Sequence, residues 1–229
     1  GGGGGGGGPG LHSKLDALGA LVRRRPFALL CGGFSCLVGS YASLLGLVEE
    51  YSGVADFTDF QAGCLGAAFM LAGTVSVFIM STLVTGRILL FPMLLWALTA
   101  GTFITGVWLV VAISPGGFDT ALGMAIALGI IVNALVPIVL TLTVEAAFPL
   151  PESIPIGVTK SCSYLATVVG IESLHYFIEW QPSYVGIFSG ANCFLIGLYL
   201  AGAVLLWSYR PELRRFEAEV EGREGGAMA

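Results

Sequence analysis

Four polar side chains share one face of the largely apolar stretch 154–178. Lys160, Tyr164, Thr167 and His175 are separated by four, three and eight residues. These spacings place them on one face of an α-helix, because successive residues turn by about 100°. An ammonium group, two hydroxyls and an imidazole offer hydrogen bonds and charge to a polar solute. The pattern predicts either the wall of a water-filled path or a face that bonds to neighbouring helices.

A carboxylate lies at the border of this polar face. Glu172 precedes His175 by three residues, about one helical turn. A carboxyl group and an imidazole at this spacing can share a proton near neutral pH, as they do in proton-coupled membrane proteins. The other interpretation is that both residues simply approach the membrane surface. We therefore name Glu172 and His175 as candidates for proton coupling.

Tyr41 lies near the middle of another apolar segment, 27–48. Tyrosine in membrane helices usually concentrates at the interface with water, so this depth is unusual. The face of an aromatic ring attracts organic cations. From composition alone, ordinary packing with the hydroxyl bonded to another helix is the favoured interpretation.

Asn133 and Pro137 interrupt the apolar segment 119–146. A proline within a membrane helix leaves one backbone carbonyl for a neighbouring group to satisfy. We expect these two residues to shape the helix and not to contact a solute directly.

Motifs of enzymatic catalysis are missing from the sequence. It contains no HExxH, no GxSxG and no phosphate-binding loop, and its two histidines are His12 and His175. The five cysteines all fall in apolar segments and show no CxxC spacing. We predict no catalytic activity, no metal and no cofactor.

The composition places the chain in a lipid bilayer. Hydrophobic residues make up 55 % of the 229 residues and charged residues 11 %, whereas soluble domains carry roughly 25 % charged residues. Six apolar segments are near or above the ~20 residues that an apolar helix needs to cross the hydrocarbon. They are 27–48, 61–84, 88–113, 119–146, 154–178 and 190–209. The predicted fold is an all-α polytopic membrane protein with six transmembrane helices.

Basic residues are distributed very unequally about these segments. The connections 49–60, 114–118 and 179–189 contain no Lys or Arg. The opposite side carries nine of the ten basic residues, and Lys160 lies within a span. These nine are Lys14, Arg23, Arg24, Arg25, Arg87, Arg210, Arg214, Arg215 and Arg223. The positive-inside rule therefore places both termini in the cytoplasm.

Three regions follow from these features. Residues 1–26 are glycine-rich and basic and are predicted to be a disordered cytoplasmic segment. Residues 27–209 form the membrane domain, and 210–229 form an acidic cytoplasmic tail. The net charge of −5 argues against nucleic-acid binding. Within the spans, small residues are expected to let helices approach closely. Examples are Gly63, Gly66, Gly123, Gly129, Gly197 and Gly202.

Three short segments resemble a known family. The segment 144–157, VEAAFPLPESIPIG, resembles the cytoplasmic junction between helices ten and eleven of the feline leukaemia virus subgroup C receptor family. The segments 39–45, GSYASLL, and 61–66, QAGCLG, support the resemblance. That family lies within the major facilitator superfamily. The resemblance implies that the six spans correspond to helices seven to twelve, the C-terminal half of such a transporter.

The resemblance also implies roles for particular residues. Members of the family carry choline or ethanolamine, and haem transport has been attributed to them, with an aromatic pocket holding the quaternary ammonium group. Tyr41 matches the aromatic residue of helix seven. The face of Lys160, Tyr164, Thr167 and His175 would then contact the solute. Together with Asn133 and Pro137, three further positions are expected to act in structure or gating. They are Glu145 and Glu152, within the matching segment, and Arg87, in the loop after the second span.

A half of this kind needs a partner. The expected function is transport of a small organic solute by alternating access, with a second six-helix half supplied by a second copy, by another chain or by sequence upstream of Gly1. The upstream origin is the favoured one. The alternative is a membrane protein that transports nothing itself and pairs with a full-length transporter. Choline uptake by liposomes containing only this chain would exclude that alternative.

Overall fold

A computed structural model of the chain contains six long apolar helices. It describes residues 19–53, 57–84, 90–113, 117–180 and 189–210. The long helices are α1 (Arg25–Gly46), α2 (Asp59–Val84), α3 (Phe91–Ala112), α4 (Phe118–Ala147), α5 (Ser153–Trp180) and α6 (Gly190–Trp207). Each is long and apolar enough to cross a membrane, and the described ranges contain no strand. The six predicted spans are confirmed, with ends that differ by at most three residues. Six such helices agree with an integral, multi-pass membrane protein.

Local sequence explains where several helices begin. Pro26 lies in the first turn of α1 and Pro92 in the first turn of α3, where the missing amide hydrogen costs nothing. The hydroxyl of Ser189 accepts a hydrogen bond from the backbone amide of Asn192 at 3.2 Å and so caps α6. By contrast, α4 continues through Pro137 without a break.

The packing of the helices repeats itself. α1 packs mainly against α5 and α6, and α4 packs in the same way against α2 and α3. Two further contacts join equivalent helices, α1 with α4 and α3 with α6. The first three helices and the last three, called here the two units, therefore occupy equivalent places in this pattern, although each unit packs mainly against the other. Because each unit crosses the membrane three times, the second begins on the side where the first ends, so the units are inverted repeats.

The repeat extends to individual residues in two interfaces, the α1–α5 seam and the α2–α4 seam. A Cβ atom on Gly39 would lie 3.2 Å from Ala166 across the α1–α5 seam. A Cβ atom on Gly129 would lie 2.5 Å from the carbonyl oxygen of Phe69 across the α2–α4 seam. Each glycine is thus a point of close approach between backbones. Gly39 of α1 corresponds to Gly129 of α4.

The second residue pair of each seam lies one turn further along. Ser43, four residues after Gly39, contacts Gly170 of α5. Asn133, four residues after Gly129, contacts Gly73 of α2 in the same manner. In each seam a polar side chain on the inner helix, α1 or α4, therefore covers a glycine on the outer helix, α5 or α2. The sequences of the two units differ widely, yet their seams have the same construction.

The region before α1 differs from the prediction. The segment 1–26 is predicted to be disordered, but residues 19–23 are helical. Leu21 is fully buried and packs with Phe27, Cys31 and Ala147 at the end of the bundle where α1 begins. Burial of these apolar side chains offsets the entropy cost of ordering this short stretch. The first eighteen residues lie outside the described part of the chain.

Four of the six glycines named above do not serve helix packing among the described residues. A Cβ atom added to any of these four would have no heavy atom of another packed residue within 4 Å. They are Gly63, Gly66, Gly123 and Gly197. The other two, Gly129 and Gly202, lie at close approaches, Gly202 because Leu37 and the backbone of Gly33 occupy the space beside it. The spacing of glycines in the sequence therefore did not identify the packing faces.

Candidate functional site in the α1–α5 seam

The predicted polar face of α5 lies along one edge of the α1–α5 seam. Lys160, Thr167 and His175 are half-buried there. Tyr164 is on the open side, with 68 % of its surface exposed. The helical spacing thus placed these residues on one side of α5. It did not reveal that α1 covers most of that side.

Near the basic end of the bundle, Lys160 contacts an aromatic ring. Its Nζ lies 5.6 Å from the centre of the Phe34 ring. An ammonium group at this distance is attracted by the electron-rich face of the ring. The seam therefore already holds one cation of its own.

The middle of the seam is held by small residues. The Ser43 hydroxyl donates to the Gly39 carbonyl at 2.5 Å and lies 3.4 Å from the Thr167 carbonyl across the seam. The Thr167 hydroxyl donates to the Ser163 carbonyl of its own helix at 3.0 Å. Thr167 therefore contributes a backbone acceptor to the seam, while its hydroxyl is already engaged within α5.

Tyr41 is half-buried beside this middle section. Its ring packs against Phe69 of α2, with ring centres 5.4 Å apart and planes tilted by 32°. Its hydroxyl lies within electrostatic range of the hydroxyls of Tyr164 and Tyr199. Phe69 thus covers part of the ring that is predicted to bind a cation. Tyr41 and Phe69 thus bring aromatic rings from α1 and α2 together beside the seam.

His175 closes the end of the seam opposite to the arginines. Its Nδ1 lies 2.9 Å from Glu50 of the short helix Val48–Gly53, and its Nε2 lies 3.3 Å from Glu179. Both ring nitrogens can donate to carboxylates at once only in the protonated imidazolium. The predicted partner, Glu172, is exposed one turn away. The carboxylates on the ring nitrogens are therefore those of Glu50 and Glu179, and not that of Glu172.

The expected structural and gating residues are dispersed. Asn133 belongs to the α2–α4 seam, where its amide nitrogen donates to the Gly129 carbonyl at 2.9 Å. Pro137 lies one turn further along α4, and its carbonyl accepts from the Thr141 hydroxyl at 2.9 Å. Glu145 is 4 % exposed in the last turn of α4. Asn133 and Pro137 therefore serve α4 and the α2–α4 seam and not the α1–α5 seam.

Two gating candidates remain. Glu152 is exposed and immediately precedes α5. Arg87 lies outside the described residues. Their expected roles in gating stay predictions.

Sequence reasoning missed a buried tyrosine that the structure places beside the seam. Tyr199 of α6 is fully buried. Its hydroxyl lies beside that of Ser40, which donates to the Leu37 carbonyl at 2.8 Å and has lone pairs free to accept from Tyr199. The Tyr199 ring lies directly on Gly106 of α3, where a Cβ atom would come within 2.6 Å of it. A glycine and a tyrosine on different helices carry no mutual signal in the sequence.

Comparison with known proteins leaves the family open. The chain matches no protein-family model, and it has no significant match among curated proteins. These comparisons therefore do not show that the chain belongs to any family. The resemblance to the feline leukaemia virus subgroup C receptor family accordingly stays a prediction from the three short segments.

Proposed function

We propose that the chain is one six-helix half of a membrane carrier that moves a small organic solute by alternating access. The observation that carries this proposal is the pair of inverted three-helix units, which repeat down to the contacts of Gly39 and Gly129. Inverted repeats of three helices are the construction of each half in major facilitator transporters, whose solute sites lie near the bilayer midplane.

The α1–α5 seam is the proposed solute-binding region. Lys160, Tyr41 and Tyr164 bring charge, aromatic faces and hydroxyls to apolar helices, where polar groups are costly unless they have a function or a partner. Tyr164 is the most exposed of them. A solute approaching from the open side of α5 would meet Tyr164 first and Tyr41 next.

A second six-helix half would cover this open side. Glu172 is exposed on α5 about 12 Å from the helix end, taking 1.5 Å per residue. An ionised carboxylate facing lipid at this depth costs several kcal/mol. Tyr164 and Tyr176 are exposed on the same helix. A partner half, or the water-filled path between two halves, removes this cost.

The charge of Lys160 has opposite effects on the binding of the candidate solutes. Phe34, which holds Lys160, and Tyr41 are seven residues apart, about 10 Å along α1. At an effective dielectric constant of about 20, two unit charges at this distance repel by about 1.7 kcal/mol. Lys160 therefore disfavours choline or ethanolamine at Tyr41, whereas it attracts the carboxylates of haem.

The test compares Lys160→Met with Lys160→Arg in liposome uptake assays. If the solute is choline, Lys160→Met raises its apparent affinity by roughly 15- to 20-fold, because about 1.7 kcal/mol of repulsion is removed. If the solute is haem, Lys160→Met weakens binding by a similar factor. Lys160→Arg keeps the charge and should leave either affinity within about threefold. Equal effects of the two substitutions would contradict a role for the Lys160 charge.

Reconstitution of the chain alone tests the carrier itself. Protein-dependent uptake into liposomes containing only this chain would support transport and exclude a purely accessory role. Folded, helical protein that gives no uptake of choline, ethanolamine or haem, alone or with a complementary six-helix half, would overturn the carrier proposal. Circular dichroism in the same liposomes establishes that the protein is folded.

A further inference from the structure

A cavity of about 470 Å³ lies at the end of the bundle where α1 begins and α6 ends. It belongs neither to the α1–α5 seam nor to the α2–α4 seam. Its lining combines charged, polar and apolar groups, from Arg25, Pro26, Leu29, Ser208, Tyr209 and Arg210. Two segments that are distant in the sequence thus bring two guanidinium groups to one opening.

The positive charge of this cavity is not neutralised by the part of the protein that the structure describes. No described carboxylate lies within ion-pair distance of Arg25 or Arg210. The first turn of α1 contains no acidic residue, and the Arg24 side chain does not cap it. Arg24 instead donates to the Phe148 carbonyl at 2.9 Å. The helix dipole of α1 adds partial positive charge at the same place.

Two tryptophans place the cavity at the membrane surface. Trp207, 52 % exposed, directly precedes the cavity residue Ser208, and its indole nitrogen donates to the Trp96 carbonyl at 3.4 Å. Trp96 is 43 % exposed near the start of α3. Tryptophan concentrates at the level of the lipid head groups. The cavity therefore lies where a phosphate reaches it from the membrane, while Leu29 and Pro26 offer an apolar wall to the glycerol and upper acyl chain.

We propose that this cavity binds the phosphate group of an anionic phospholipid between Arg25 and Arg210. Guanidinium groups pair with phosphate oxygens through two parallel hydrogen bonds, which gives both strength and orientation. Anionic lipids are abundant in the cytoplasmic leaflet, on which the basic end of the chain is predicted to lie. Neither the inverted repeat nor the seam is needed for this proposal, so it stands independently of the proposed transport.

The test is native mass spectrometry of the delipidated full chain in detergent, titrated with phosphatidylserine or phosphatidylcholine. The wild-type protein should bind one phosphatidylserine in preference to phosphatidylcholine. Arg25→Gln and Arg210→Gln should each weaken that binding about tenfold or more, the range expected for loss of charged hydrogen bonds. Arg23→Gln is the matched control, since it removes the same charge two residues away, outside the cavity.

The Arg23→Gln control and a titration with inorganic phosphate decide whether the proposed lipid site is right. If Arg23→Gln weakens binding as much as Arg25→Gln, the attraction is diffuse and the site is wrong. Equal binding of phosphatidylserine and phosphatidylcholine also overturns it. Displacement of the lipid by millimolar inorganic phosphate would show that the cavity recognises the phosphate alone, which overturns the assignment to lipid. Retention of the lipid under phosphate, with a selective loss in Arg25→Gln and Arg210→Gln, supports the proposal.

Discussion

The α1–α5 and α2–α4 seams have one construction and different chemistry. In both, a glycine of the inner helix lies against backbone of the outer helix, and a polar side chain four residues later covers a second glycine. The α1–α5 seam extends into Lys160 at one end and the His175–Glu50 pair at the other. In the α2–α4 seam the polar side chains are uncharged: the Ser76 hydroxyl donates to the Ile130 carbonyl at 2.6 Å, and Asn133 donates to the Gly129 carbonyl at 2.9 Å. The repeated scaffold thus carries charged side chains at the α1–α5 seam and uncharged polar ones at these positions of the α2–α4 seam.

The two seams also differ in tightness. A Cβ atom at Gly129 would lie 2.5 Å from a backbone oxygen, which cannot move without displacing α2. A Cβ atom at Gly39 would lie 3.2 Å from Ala166, a distance that small shifts can relieve. At the first glycine of each seam the α2–α4 contact is therefore the tighter one. At the second glycine the seams are alike, because an added Cβ atom would clash with Asn133 at Gly73 and with Ser43 at Gly170.

The largest predicted effect on stability is that of a substitution in the α2–α4 seam. Gly129→Ala should lower the free energy of unfolding by about 1–3 kcal/mol, the usual cost of overpacking. Gly39→Ala should cost less than about 1 kcal/mol because the nearest Ala166 atoms, at 3.2 Å, need to give by only a few tenths of an ångström. Unfolding in mixed micelles, followed by circular dichroism, gives both values. If Gly39→Ala is as costly as Gly129→Ala, the difference in tightness is wrong.

The next prediction tests the correspondence between the seams with two mutant cycles. Gly73→Ala should be destabilising because Asn133 occupies the space of the new methyl group, and Asn133→Ala should relieve that cost. Gly170→Ala and Ser43→Ala form the matching cycle. A coupling energy of about 0.5–1 kcal/mol is expected in each cycle, as for residues in direct contact.

The same unfolding measurement decides between coupling and independence. Additive effects in both cycles would contradict the described contacts. Coupling in only one cycle would mean that the second residue pairs of the two seams are not equivalent.

The smallest predicted effect concerns the end of the α1–α5 seam. Glu50→Gln should lower the free energy of unfolding only slightly, because the pair with His175 is partly exposed and solvent screens it. Glu172→Gln should change it less, since Glu172 lies on neither ring nitrogen. In uptake assays across a pH gradient, a stronger effect of Glu172→Gln than of Glu50→Gln would favour the proton-coupling pair predicted from the sequence.

The sequence predicted the helices better than their contacts. Hydropathy and length identify a span because each apolar helix satisfies its own backbone in lipid. Which face meets which helix depends on partners far away in the chain. Glu50 lies in a predicted loop, 125 residues from His175, so nothing local pairs them. The spacing on α5 groups Lys160, Thr167 and His175 on one side of the helix, but it does not say which helix meets that side.

Glycines show the same limit. Gly63 and Gly66 have a spacing typical of packing, yet they face open space among the described residues. Gly73, Gly106 and Gly170 carry close contacts without any distinctive local pattern. A glycine acquires its role from the residue opposite, and that residue is fixed only when the helices assemble.

The contact of Tyr199 with Gly106 has a mechanical consequence. It joins α3 and α6, the equivalent third helices of the two units, beside the axis that relates them. A stiff ring pressed onto bare backbone leaves little freedom for one unit to slide or tilt against the other, because well-packed contacts resist small deformations. Any relative movement of α3 and α6 therefore requires the Tyr199 ring to leave its place against Gly106.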